Sequence, residues 1–146
     1  MSRPLTIGSR PSLDAAVKIL AAAHLPTEDL TADHCEQFFF TGSSSEPTGL
    51  VGLELFGNVA LLRSLVVAPD RRGIGEGAAL LKHVEDHARA EGVRTLYLLT
   101  TTAESFFAKH GYQRAERESA PAAIRATREF AGICPASSAF MMRQLS

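Results

Sequence analysis

The stretch Leu65-Val66-Val67-Ala68-Pro69-Asp70-Arg71-Arg72-Gly73-Ile74-Gly75-Glu76-Gly77-Ala78-Ala79-Leu80-Leu81 places a β-prone run, a glycine-rich turn and the start of a helical pattern in direct succession. Such a junction is an anion cradle. Glycines let backbone amides approach an anion without a Cβ in the way, and a helix amino end adds unpaired N–H donors and a partial positive charge. Arg71 and Arg72 bring full charges to the same place, and a pyrophosphate suits the arrangement. A Walker loop is excluded, because no Gly-Lys followed by Ser or Thr stands nearby. A dinucleotide fingerprint matches at Gly73, Gly75 and Ala78, but two features count against it. Five residues, Ala68 to Arg72, precede the first glycine, and the next strand-like run closes on Thr100-Thr101-Thr102 rather than on an acid.

Working outward, Gly75 to Glu91 carries apolar residues at helical spacing and stops at Gly92, where a C-terminal cap belongs. Upstream, Leu50–Phe56 and Val59–Ala68 are strand-like, and Gly57-Asn58 between them is a short-hairpin signal. Gly42 to Gly49 reads as a hairpin loop behind a strand at Phe38–Thr41. Before that the pattern predicts a strand at Leu5–Ile7, a helix capped by Ser12 and running to Ala23, and a short helix over Glu28–Gln37. Downstream it predicts a strand at Val93–Thr100, a helix at Ala103–Lys109 closed by Gly111, and a strand at Tyr112–Arg117. A helix from Pro121 to about Ala131, a break at Cys134-Pro135 and a last strand at Ser138–Arg143 follow. An antiparallel meander succeeded by alternating strands and helices implies a mixed sheet with helices on its faces.

The chain has 146 residues, enough for one domain with one core. Fifteen Lys and Arg against 16 Asp and Glu leave a formal charge of −1, which gives no field for nucleic acid or an anionic membrane. Two cysteines, no export segment and no membrane-length apolar run point to a soluble cytoplasmic protein. His83 and His87 stand four apart around Val-Glu-Asp, unlike a His-Glu-x-x-His metal site, and read as polar surface. Cys35 and Cys134 read as space-filling rather than as a soft-metal pair, and Phe38-Phe39-Phe40 as core. No metal is expected.

Arg72-x-x-Gly75-x-Gly77, the approach Val67-Ala68-Pro69, and Thr100-x-x-Ala103-x-x-Phe106-Phe107-x-x-x-Gly111-Tyr112 together resemble the GNAT family of N-acetyltransferases, in the right order and over about half the chain. More narrowly, Ala23 to Leu30, Leu62-Arg63-Ser64-Leu65 and Ala120 to Ser137 resemble its arsenic-resistance-associated branch. The resemblance implies an α/β fold with a mixed, mostly antiparallel sheet of six or seven strands flanked by helices, strands 4 and 5 splayed, as one domain over residues 1–146. It implies acetyl-coenzyme A as co-substrate, held by Leu65, Val66, Val67, Arg71, Arg72, Gly73, Ile74, Gly75, Glu76, Gly77, Ala78, Thr100, Phe106 and Phe107. The implied partner is a small-molecule amine, an amino acid or an amino-acid-like toxin such as arsinothricin or phosphinothricin, acetylated in a ternary complex by a monomer or homodimer.

Direct attack requires a neutral amine, so a base or a water chain must remove a proton. Glu54 alternates with Leu53 and Leu55 on a strand beside the coenzyme-binding one, which makes it the candidate base and leaves a solvated strand glutamate as the alternative. A backbone N–H of Leu65–Val67 could polarise the thioester carbonyl. The family's second block often has a Tyr that protonates the departing sulfur; here that position is Phe107, and the usual Asn is Thr100. Arg63, Ser64 and Arg125 are candidates for the substrate, Arg63 for a carboxylate, with an ion pair across the sheet as its alternative. A non-catalytic acyl-coenzyme A-binding module is the competing function, favoured by Phe107 and Thr100.

Overall fold

The computed structural model describes residues 7–25, 27–133 and 138–145, with the Ile133 side chain left aside. Leu5, Pro26 and the Cys134-Pro135 break lie outside the described residues. The elements in order are β1 (Ile7–Ser9), α1 (Leu13–Ala22), α2 (Ala32–Cys35), β2 (Phe38–Gly42), β3 (Pro47–Phe56) and β4 (Val59–Val67), then α3 (Glu76–Ala90), β5 (Thr95–Thr100), α4 (Glu104–Lys109), β6 (Gln113–Arg114), α5 (Ala122–Arg125) and β7 (Ala139–Gln144). Among the described residues seven strands form one sheet in the order β1-β2-β3-β4-β5-β7-β6. β1–β2, β2–β3, β5–β7 and β6–β7 pair antiparallel, whereas β4–β5 is parallel. The parallel ladder comprises Val59↔Thr95, Ala60↔Leu96 and Leu61↔Tyr97, the opening residues of both strands. This is the mixed α/β sheet expected from the sequence.

By contact the chain divides into two compact units, Met1–Glu54 with Arg63–His87, and Leu55–Leu62 with Ala88–Ser146. In the first, the two-residue period of a strand sorts the three consecutive phenylalanines of β2. Phe38 and Phe40 join Ala16, Leu20, Cys35, Leu50 and Val66 in one core cluster. Phe39 meets the rings of His83 and His87 edge-on, at centroid distances of 4.8 and 4.9 Å. Cross-strand partners make room for the large rings, since Phe38 lies opposite Gly52 and Phe40 opposite Gly8. A Cβ on Gly8 would stand 2.5 Å from Cζ of Phe40, and one on Gly52 would overlap the Phe38 ring. In the second unit, Leu61, Ala120, Ile124 and Phe140 form the buried cluster, with Tyr97 stacked on Phe140.

Ser12 caps α1 as the sequence predicts, its Oγ accepting the Ala15 amide at 3.1 Å. Three expectations need correction. The helix predicted over Glu28–Gln37 is the single turn α2, because Thr31 adopts the extended cap conformation and Asp29 is drawn into an ion pair. The strand predicted over Tyr112–Arg117 shortens to Gln113–Arg114, ahead of a 3₁₀ turn at Arg117–Ser119. The helix from Pro121 is interrupted after Arg125. There the Thr127 hydroxyl donates to the Ile124 carbonyl at 2.7 Å and accepts the Phe130 amide at 3.3 Å, before a π turn at Glu129–Ile133.

Candidate active site

The loop before α3 is built as its sequence implies. Gly73 and Gly75 adopt φ of +81° and +90°, the left-handed region open chiefly to glycine, and a Cβ at either would meet nothing within 4 Å. Their backbone therefore faces open space at the amino end of a 15-residue helix. Ile74 between them is 59% exposed, although it is a large apolar residue. The Arg72 guanidinium is exposed and donates from Nε to the Val67 carbonyl at 3.2 Å.

The two neighbours Arg71 and Glu76 do something the spacing did not reveal. Glu76 is buried, and its Oε1 accepts from Arg71 Nε at 2.8 Å and Nη2 at 2.6 Å. Its Oε2 accepts from the hydroxyls of Thr41 and Thr48, each at 3.2 Å. Glu76 thus turns inward and ties the loop to β2 and β3, and Arg71 is held on its carboxylate.

Farther along β4, Ser64 takes φ of +62°, a left-handed residue inside a strand that breaks the plain alternation just before Leu65–Val67. Next to it Arg63 has a fully buried side chain. Its Nη1 and Nη2 grip Asp29 bidentately at 2.5 and 2.9 Å, Nη1 also donates to Glu54 Oε2 at 3.0 Å, and Nε donates to Ser64 Oγ at 3.1 Å. The fork expected to face a substrate carboxylate is therefore taken by Asp29, in the loop before α2, and the ion pair across the sheet is the one to Glu54 on β3. Burial by itself raises the Asp29 pKa, but the hydrogen bonds and charge of Arg63 outweigh it and hold the carboxyl below its ordinary value.

Glu54 is the more solvent-facing acid of this cluster, its side chain 16% exposed against 3% for Asp29. Its other oxygen, Oε1, lies 4.0 Å from His34 Nε2. His34 Nδ1 accepts the Thr31 amide at 3.2 Å, so the hydrogen of the neutral ring sits on Nε2, facing Glu54. Asp29, His34 and Glu54 offer ligand atoms within 4.8 Å of one another, a set that could hold a metal. The Arg63 guanidinium already supplies the positive charge between the two carboxylates.

Asp29 and His34 were absent from the residues picked out by sequence. Thr31, a good cap residue, marks a helix start after Asp29 but signals no partner for Asp29 or His34.

Thr100, Phe106, Phe107 and Arg125 belong to the second unit. Thr100 Oγ1 accepts the Ala103 amide at 3.0 Å and starts α4. Phe107 is buried, edge-on to Phe106 and Tyr112 at centroid distances of 5.3 and 5.5 Å, and Phe106 also contacts the His110 ring. Arg125 is exposed on α5.

A model of the acetyltransferase (GNAT) family matches residues 12–114. The amino-acid acetyltransferase of Ralstonia nicotianae is 46% identical over 63 residues, which are 43% of this chain and 14% of that protein. The amino-acid acetyltransferase of Ectopseudomonas mendocina is 42% identical over 62 residues, again 14% of that protein. Among solved structures, N-acetylglutamate synthase from Neisseria gonorrhoeae, complexed with coenzyme A and N-acetyl-glutamate, superposes with a TM-score of 0.81 at 22% identity over 100% of this chain and 36% of that one. Rv2747 from Mycobacterium tuberculosis, in complex with CoA and NLQ, gives 0.74 at 16% identity over 97% of this chain and 99% of that one. The curated matches thus span a small part of much longer proteins, and the solved structures share the fold. Because the family model covers well over half of its residues, the chain belongs to the acetyltransferase (GNAT) family.

Proposed function

We propose that the protein transfers the acetyl group of acetyl-coenzyme A to the amine of an amino acid or a compound of that class. The observation that carries this reading is the glycine loop, with backbone facing open space at Gly73 and Gly75 before a long helix. Those features fit a pyrophosphate, whose charge the helix end, the amides of Gly73 to Ala78 and Arg72 would balance. With Arg71 held on Glu76, Arg72 is the loop cation assigned to the phosphates.

Bound acetyl-coenzyme A supplies a thioester carbonyl open to an amine, and a thiol leaving group. Backbone groups of Leu65, Val66 and Val67 would hold its pantetheine arm, with one N–H directed at the carbonyl oxygen, where charge develops. Glu54 would accept the proton that the attacking ammonium must lose. Phe107 has no proton to give, and a thiol with a pKa near ~8.5 leaves as thiolate with modest help. Thr100 and Phe106 remain candidates for coenzyme contacts in the second unit. Ser64, on β4 just before Leu65–Val67, and Arg125 are the candidates for the acceptor. The amino-acid class is supported by the names of the curated relatives. Arsinothricin- or phosphinothricin-like acceptors are the narrower proposal, resting on the resemblance to the arsenic-resistance-associated branch.

The test is a thiol-release assay with acetyl-coenzyme A and a panel of amino acids that includes both toxins. Turnover is expected, with Arg72→Ala raising KM for acetyl-coenzyme A about tenfold and leaving kcat within a few-fold. Coenzyme binding without turnover on any amine would favour a regulatory acyl-coenzyme A-binding module.

A further inference from the structure

Resting on the reading of Glu54 as base, we propose that Asp29 and His34 are positioning residues for it, Asp29 acting through Arg63 on one carboxylate oxygen and His34 on the other. Arg63 has no freedom of its own. Its side chain is fully buried, and Asp29, Glu54 and Ser64 engage its Nη1, Nη2 and Nε. Glu54 Oε2 therefore has a donor fixed by a bidentate pair anchored in the loop before α2. A carboxylate facing an uncompensated guanidinium would be held tightly in its ionised form and would be a weak base. Asp29 prevents this by supplying the second negative charge, so that one cation is shared between two acids and the set carries a net charge of −1. Of the two acids, Glu54 is the less buried, its side chain 16% exposed against 3% for Asp29.

On the far oxygen, the Thr31 amide on Nδ1 leaves the hydrogen of the neutral His34 ring on Nε2, which lies 4.0 Å from Oε1. That is too long for a direct hydrogen bond but close enough to orient the carboxylate. Among the described residues, the charged or titratable groups that face Glu54 are Arg63 and His34, with Asp29 behind Arg63.

The experiment compares pH profiles of kcat, at saturating substrates, for the intact chain and for Asp29→Asn, His34→Gln and Glu54→Gln. In Asp29→Asn, Arg63 is left with Glu54 as the one acid of its pair. The acid limb is expected to move down by about one pH unit and kcat to fall about tenfold, with KM for acetyl-coenzyme A unchanged. His34→Gln, at a quarter-exposed ring, is expected to fold and to lower kcat about threefold, again without a change in that KM. A folded Asp29→Asn variant with the parent profile overturns the proposal. Should Asp29→Asn fail to fold, an unaltered kcat and profile in His34→Gln overturns it. Glu54→Gln separates the two claims: loss of the acid limb there with no effect at Asp29 or His34 refutes the positioning roles alone, and an intact limb removes the base itself.

Discussion

Arg63 and Arg71 both hold a buried carboxylate, yet they are built in opposite senses. At Arg63 the cation is the innermost member and two acids converge on it; at Arg71 the acid is innermost, and the arginine side chain is 41% exposed. The first arrangement traps a charge that has no route to water. The second lets the cation swing outward if its partner is removed, while Thr41 and Thr48 still hold the acid if the arginine is removed. Burial of the less mobile partner, more than the number of bonds, therefore sets what each ion pair contributes.

Mutations can break that contrast. The largest effect is expected at Asp29, because Arg63→Ala strands its carboxylate among buried groups, at a cost of about 3–5 kcal/mol measured by urea unfolding. Next comes Arg71→Ala, which leaves Glu76 with two hydroxyl donors and should cost about 2 kcal/mol, whereas Glu76→Ala, which frees Arg71 to reach water, should cost about 1 kcal/mol less. Equal losses for these two would dissolve the asymmetry.

The pH dependence sharpens it further. The folded pKa of Asp29 lies below its unfolded value of 3.8, so the stabilisation is present above that value and is lost as pH falls through the lowered folded pKa. Unfolding curves of the parent and Asp29→Asn should differ at neutral pH and converge in strong acid. The smallest effect is expected for the solvent-exposed pair Lys82–Asp86, where Lys82→Ala should change stability by less than about 0.5 kcal/mol.

The glycine loop before α3 was legible because its geometry is local: glycine placement, a helix start and arginines all sit within consecutive residues. The same holds for the Ser12 cap and for the hairpin at Gly57-Asn58. The acid cluster was not legible. Asp29, Glu54 and Arg63 meet across 34 and 9 residues of chain, and nothing in the local pattern around Asp29 signals a partner on β4. Glu76 lay inside the recognised motif, yet its inward turn depends on hydroxyls contributed by β2 and β3. The helix expected over Glu28–Gln37 failed for a related reason. Acidic residues near a helix start are favourable, but the stronger demand at Asp29 came from a guanidinium distant in sequence.

The glycines under Phe38 and Phe40 carry one more consequence. Each ring fills the volume a side chain would take on the neighbouring strand, so neither member of a pair can vary alone: enlarging Gly52 evicts Phe38, and shrinking Phe38 leaves Gly52 roofing a void. Divergent relatives that keep this face of the sheet should therefore exchange the two positions together, a large residue on one strand traded for a large residue on the other. Co-variation of that kind would record, without any structure, the register in which β1, β2 and β3 are aligned.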